Sequence, residues 1–236
     1  MISRKFLDSL SSRNIDLDPL LANVSVMILE DAMMAASKLN KLLTMALFTV
    51  MPTPLLIRLL HKRLQVDATA ATLFSSGSEG EPKSVVLSHK NKMSNVRQVS
   101  DVLNTETDDV VMAALPLFHA FGLTVTTFMP LVEGLPLVTH PDLTDAVNIG
   151  KKVAKHRATN PSGTSTFFRL YSKNARVLPL MLGSLRIVVA GAEKLSPSVR
   201  DAFKLKFNKD ILEGYGATET TRVASENIPD ALDIRS

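Results

Sequence analysis

The rhythm of apolar positions along the chain changes near residue 69. Before it the pattern is mostly helical, with Phe6, Leu7 and Leu10 on one helical face. The apolar run Val24–Leu29 predicts a buried strand, and Ala32–Lys41 returns to a helical period. Leu42 to Leu60 is strongly apolar, flanked by Lys41 and by His61, Lys62 and Arg63, with Pro52, Pro54 and Arg58 inside it. The prolines and the arginine argue against a membrane span, which needs about 20 apolar residues. Two readings remain: a helical hairpin broken at the prolines and packed on a domain, or a basic-flanked helix lying in a membrane interface.

From Thr69 onward, short apolar runs alternate with helical periods. Strands are predicted from Thr72, at Val85–Leu87, Val110–Leu115, Leu135–Thr139 and Leu185–Ala190, and at Ile211 and Leu212. Between them, Ser88 can cap a helix whose apolar positions are Met93, Val96, Val99 and Leu103. Ala120 to Val132 predicts a helix ending near Gly134, and Thr144 can cap another that runs through Val153 to His156. Ser196 and Pro197 read as cap and first turn of a helix with Val199, Ala202, Phe203 and Phe207 on one face. Alternating strands and helices predict an α/β fold: a parallel sheet covered by helices.

The chain has no cysteine, which excludes disulfides, Cys-ligated metals and a cysteine nucleophile within it. A net charge of +4 mildly favours anionic partners. With no tryptophan and 5% aromatic residues, base-stacking platforms are scarce, so nucleic acid is not an expected partner. Met1 to Asn14 is polar and charged, unlike a secretory signal. The G-x-S-x-G elbow of serine hydrolases does not occur.

Ligands of parallel α/β sheets bind beyond the carboxyl ends of strands. Four segments fall there. Ser75, Ser76, Gly77, Ser78 and Gly80 form a small-residue loop followed by Lys83. Bare backbone N–H groups in such a loop can converge on an anion, with the lysine as a point charge. The spacing is not that of the Walker loop, and a Gly/Ser cluster can also be a plain surface turn. The other three are Pro116–Gly122, which contains His119, then Gly191-Ala192-Glu193-Lys194, and Glu213–Glu219. Each has a duller reading: His119 as a hydrogen-bonded core histidine, Tyr215 as packing, Glu219 as a helix-start carboxylate, Glu193 and Lys194 as a solvated pair. His140-Pro-Asp-Leu-Thr-Asp145 matches an acyltransferase spacing, but it follows a strand inside the α/β region and reads as coincidence.

In sequence order, SSGSEG, PLFHAFG, VVAGAEKL and EGYGATE resemble the motifs of the acyl-adenylate-forming superfamily from about Thr69 to Thr221. The GSEG and GAEKL variants are most similar to one branch, the synthetase half of the bifunctional acyl-[acyl-carrier-protein] synthetase and lysophospholipid acyltransferase. The resemblance implies a mostly helical lead-in over 1–68 and part of the large N-terminal AMP-binding domain over 69–236. It implies ATP and Mg²⁺ as cofactors, a fatty acid as substrate, and acyl carrier protein or CoA as thiol acceptor. Ser75, Ser76, Gly77, Ser78, Gly80 and Lys83 would hold the ATP phosphates. His119 would stand where nucleotide and acyl pockets join. Gly191, Ala192 and Glu193 would line the adenine side. Tyr215, between Gly214 and Gly216, would stack on adenine, Thr218 would touch the α-phosphate and Glu219 would bind Mg²⁺. His119, Lys83 and Thr218 are thus the implied catalytic residues.

Three departures temper what the resemblance implies. Ser84 and Ser165 stand where glycine and proline are usual, and Asn160-Pro-Ser-Gly163 replaces a usually apolar strand. After Glu219 the family continues into a ribose-binding aspartate, a hinge and a small lid domain with a catalytic lysine, and none of these follows here. The expectation is an incomplete, weakly active or inactive piece of the enzyme. The alternative is a non-catalytic remnant that binds nucleotide weakly or associates with a membrane surface. The expected location is the cytoplasm, or the cytoplasmic face of the inner membrane.

Overall fold

The computed structural model describes residues 2–12, 16–22, 25–60, 65–76, 81–221 and 223–226. The chain divides into two units, residues 1–63 and 64–236.

The first unit holds α1 (Arg4–Ser11), α2 (Asp18–Leu21), α3 (Leu29–Ala35), α4 (Lys38–Val50) and α5 (Thr53–Leu60). Ser3 and Ser37 cap α1 and α4, accepting from the amides of Phe6 and Asn40. The strand expected at Val24–Leu29 does not form. Val24 lies outside the described residues; the rest yields a single parallel bridge, Ile2 to Ile28, and Leu29 already opens α3. The physical reason lies just downstream. Glu30 and Asp31 sit in the first turn of α3, where the helix dipole favours them, and Arg4 grips Asp31 at 2.8 and 2.9 Å. The helix expected over Ala32–Lys41 is split, because Ala36 turns extended and Ser37 starts α4. The break at Met51 and Pro52 between α4 and α5 falls where the prolines predict one.

The second unit opens with an antiparallel hairpin, β1 (Thr69–Ser76) and β2 (Pro82–Ser88), followed by α6 (His89–Leu103). Ser88 and Asn91 form a reciprocal capping box at the start of α6. The main sheet contains β3 (Val111–Ala113), β4 (Leu137–Thr139), β5 (Asn160–Gly163), β6 (Val189–Ala190), β7 (Leu212–Tyr215) and β8 (Ser225–Glu226). Its order is β4-β3-β5-β6-β7-β8, with the first five parallel and β8 antiparallel. Its crossovers carry α7 (Ala120–Leu123), a π-helical turn (Thr124–Phe128) and α8 (Met129–Glu133), then α9 (Ala146–His156), α10 (Ser165–Lys173), a 3₁₀ turn (Pro179–Leu182) and α11 (Pro197–Phe207). The helix predicted from Ala120 therefore exists, but a π-turn interrupts it. Asp145 rather than Thr144 caps α9, accepting from the Asn148 amide.

Burial of apolar side chains from both faces holds this unit together. Phe168 of α10 meets Phe203 of α11 edge-on at 5.3 Å, and Phe203 stacks toward Phe207 at 4.8 Å. Just before β3 the buried carboxylate of Asp109 accepts from Arg186, Thr159 and the Glu106 amide. Burial opposes its ionisation, but these bonds outweigh that and keep its pKa below the usual carboxylate range.

The polar segment Asn160–Gly163 still forms a strand, buried between β3 and β6. Its neighbours supply the ladder: the Asn160 amide donates to Val110 O and Gly191 N donates to Gly163 O. The side chains fare worse. The Asn160 amide group and the Ser162 hydroxyl are buried without a hydrogen-bond partner among the described residues. Ser165 differs, since its buried hydroxyl accepts from Ser196 N at 3.2 Å. Replacing Asn160 by Val is expected to raise stability by about 1–3 kcal/mol, since the unpaired amide carries a desolvation cost of that size. Urea unfolding checks it, and a midpoint that fell would show that the amide is satisfied.

Candidate functional site

In the hairpin, Ser75 pairs with Lys83 and Leu73 with Val85. Paired residues share a face, as do alternate residues along a strand. Ser75 and Lys83 therefore lie on the face whose Leu73 and Leu87 pack against Ala120 of α7. That contact seats this face of the hairpin on α7. Ser76 pairs with Pro82 at the last described step, and Gly77, Ser78 and Gly80 lie outside the described residues. Lys83 is exposed, and Ser84 is exposed opposite Phe74.

His119 is exposed and caps α7, its Nδ1 accepting from Phe121 N at 3.3 Å. It is not the buried core histidine of the duller reading. The turn before it is tight: a Cβ on Gly122 would stand 2.2 Å from Pro116 O, so only glycine fits. Phe121 then reaches the β6 loop, where a Cβ on Gly191 would meet its ring at 3.0 Å. Phe121, Val125, Gly191, Gly214, Tyr215 and Gly216 thus surround a narrow cleft at the carboxyl ends of β6 and β7.

Beyond Gly191, Ala192 takes a left-handed backbone with φ of +71°. Glu193 does not pair with Lys194 among the described residues; its carboxylate accepts from Thr166 N at 2.5 Å, at the start of α10. Burial opposes its ionisation, but that amide bond and the neighbouring threonines lower its pKa overall. Glu213 fastens the same loop by accepting from Leu195 N at 2.9 Å. Tyr215 ends β7 with 71% of its surface exposed, a flat ring beside glycines that can take a planar base. Thr218 is half-buried, and Glu219 is exposed at the rim of a polar cleft of about 770 Å³ that α6 lines with Lys90, Asn91 and Asn95. Among the described residues no cluster of three or more metal-ligating side chains forms. A lone carboxylate still suits Mg²⁺, which binds through one or two carboxylates plus substrate phosphates.

His140 Nε2 lies 3.3 Å from Asp145 Oδ2, so the acyltransferase-like spacing does bring the pair together. Asp145 is committed to the cap of α9, which accounts for it structurally.

The sequence reading missed Lys92. The inward face of α6 is Lys92, Val96, Val99 and Leu103, while Met93 is only half-buried. Lys92 is 2% exposed; its Nζ donates to Thr124 Oγ1 at 3.0 Å and lies 5.9 Å from the Phe128 ring centre. Thr124 in turn donates to Thr221 O, and Asn95 exchanges bonds with the Val223 backbone. These side chains fasten the loop that carries Thr218 and Glu219 onto α6.

Three of the four segments, after β3, β6 and β7, lie where parallel strands end, the place where such sheets bind ligands. The first does not: β1 pairs with β2 in a separate antiparallel hairpin, so Ser75, Ser76 and Lys83 belong to a hairpin that packs on α7 and not to the parallel sheet. Residues 14–236 match the family model described as AMP-binding enzyme, and the chain belongs to that family. The potato 4-coumarate–CoA ligase 2 is 32% identical over 162 residues, covering 66% of this chain and 30% of the ligase. A long-chain-fatty-acid–CoA ligase from Yersinia pestis is 30% identical over 164 residues, 67% of this chain and 29% of its own. ATP-bound MatB from Rhodopseudomonas palustris superposes with a TM-score of 0.66 at 30% identity, covering 72% of this chain and 33% of MatB. The α/β fold is that of the N-terminal domain of adenylate-forming enzymes. The chain spans about a third of the length of these relatives.

Burial lowers the pKa of Lys92 to about 8, against about 10.4 for an unfolded lysine. Between those values the unfolded chain keeps a proton that the folded chain has lost, so this group makes stability rise with pH across that window. Lys92→Met is expected to remove that rise and to stabilise the protein by about 1 kcal/mol or more near neutral pH. Urea midpoints of both proteins at about pH 7 and about pH 9.5 read the difference, and equal slopes would contradict it.

Proposed function

We propose that this chain provides the ATP-binding surface of a fatty acyl-adenylate-forming ligase. In the complete reaction a carboxylate oxygen attacks the α-phosphorus of ATP, and the bond to the leaving pyrophosphate breaks. A phosphopantetheine thiol then attacks the acyl carbonyl and AMP leaves. The observation that supports the reading is that α7 packs on both the hairpin, through Ala120 with Leu73 and Leu87, and the β6 loop, through Phe121 with Gly191, beside Tyr215. Family membership supports ATP use, and relatives named as 4-coumarate–CoA and long-chain-fatty-acid–CoA ligases support a carboxylic acid and CoA as substrates.

Within this reading Lys83, with the small residues of its loop, meets the phosphates. Tyr215 takes the adenine face, Thr218 borders the α-phosphate and Glu219 offers the single carboxylate that a phosphate-bound Mg²⁺ needs. His119 stands between nucleotide and acyl group. A fatty acid as substrate, and acyl carrier protein as an alternative acceptor, rest on the GSEG and GAEKL segments.

Calorimetric titration with ATP and Mg²⁺ tests the site. Lys83→Ala and Glu219→Ala are each expected to weaken binding about tenfold or more, as loss of a charge-assisted contact does. Tyr215→Ala should weaken it comparably while leaving the urea midpoint within about 0.5 kcal/mol of wild type, because the ring is exposed. Binding indifferent to all three substitutions would remove the reading. Fatty-acid-dependent exchange of pyrophosphate into ATP tests the chemistry separately, and ATP binding without exchange would favour the non-catalytic alternative.

A further inference from the structure

No residue of α4 or α5 is buried. Leu42, Leu43, Met45 and Phe48 of α4 and Leu55 and Leu59 of α5 are between 50% and 69% exposed. Apolar surface on this scale marks a contact with something else. Charge indicates what. Between Asp31 and Asp67 there is no acidic residue, whereas Lys38, Lys41, Arg58, Lys62 and Arg63 all fall there. These five cations exceed the net charge of +4 of the whole chain, so the remainder is slightly acidic. A purely apolar partner would leave these cations without counter-charges. An anionic bilayer surface accommodates both features, with apolar side chains entering the acyl boundary and Lys and Arg reaching the phosphates.

We propose that α4 and α5 lie in the plane of an anionic lipid surface and hold the protein there peripherally. Crossing is ruled out for these helices by length. At about 1.5 Å per residue the 13 residues of α4 and 8 of α5 reach roughly 20 and 12 Å, against about 30 Å of hydrocarbon. No helix of the described residues is long and apolar enough to cross a membrane. Local chemistry suits a poorly hydrated setting. The Thr49 hydroxyl donates to Met45 O at 2.8 Å, and Ser37 closes the first turn of α4. The long stem of Arg58 can carry its charge from an apolar face to the headgroups.

The test is flotation of the full chain with vesicles of phosphatidylcholine alone or mixed with phosphatidylglycerol. Flotation is expected with the anionic vesicles and weakened by high salt, with K38E/K41E and L42D/F48D each reducing the bound fraction about tenfold. The chain lacks tryptophan, so F48W is a single reporter at the proposed contact. Its emission should shift to the blue on adding anionic vesicles and be quenched by brominated lipid. Equal flotation with neutral vesicles, or none, would overturn the proposal. So would F48W emission already blue-shifted without lipid, which would mean that a second copy or another protein segment covers the face. Nucleotide binding is read separately by calorimetry on the second unit's variants, so either idea can fail alone.

Discussion

The packing of α7, only four residues long, is the constraint on which the site depends. Its first residue, Ala120, meets Leu73 and Leu87 and so receives the hairpin. Its second, Phe121, closes on Gly191 and receives the β6 loop. Gly122 sits against the Pro116 carbonyl, which sets the turn presenting His119. Residues from the hairpin, His119 and the sheet loops are thereby brought around one small element. The order Phe-His-Ala-Phe-Gly has a steric explanation: bulk at the ring that fills the cleft, none where backbone meets backbone.

The loop after β7 is held by a different device. Thr124, which accepts from Lys92, donates from a buried position to Thr221 O, and the buried Asn95 donates to Val223 O. A buried cation with no carboxylate within bonding distance among the described residues is costly. Its cost falls on the same helix that the Ser88 capping box starts, so the hairpin, α6 and the Glu219 loop form one mechanical path. Asn160 is a second expensive choice, in the middle of the sheet rather than at its rim. Both are polar groups at positions whose neighbours are apolar, and they make the scaffold less stable than its burial pattern alone implies.

Much of the site was legible in the sequence because its signals are local. Glycines and small residues after short apolar runs mark loops at strand ends, and the four segments identify themselves by their order. The parallel sheet was legible from alternation alone, as was the helix begun by Ser88. What escaped depends on distant partners. A lysine at position 92 reads as solvated until Thr124 and the π-turn are placed over it. Asn160-Pro-Ser-Gly163 has no strand-forming residues, and it is a strand because β3 and β6 flank it. Val24–Leu29 failed in the opposite sense, since an apolar run becomes a strand only where a sheet is available to pair with it. Among the described residues the first unit offered Ile2 alone.

The proposal stands on the β6 and β7 loops, with the exposed Tyr215, taking the adenine of ATP beside α7. Photolabelling with an azido-adenine analogue of ATP, followed by peptide mapping, tests it most directly. The account predicts label on the peptides carrying Gly191–Lys194 or Tyr215, suppressed by excess ATP. Label confined to the first unit, or label that ATP does not displace, would contradict it.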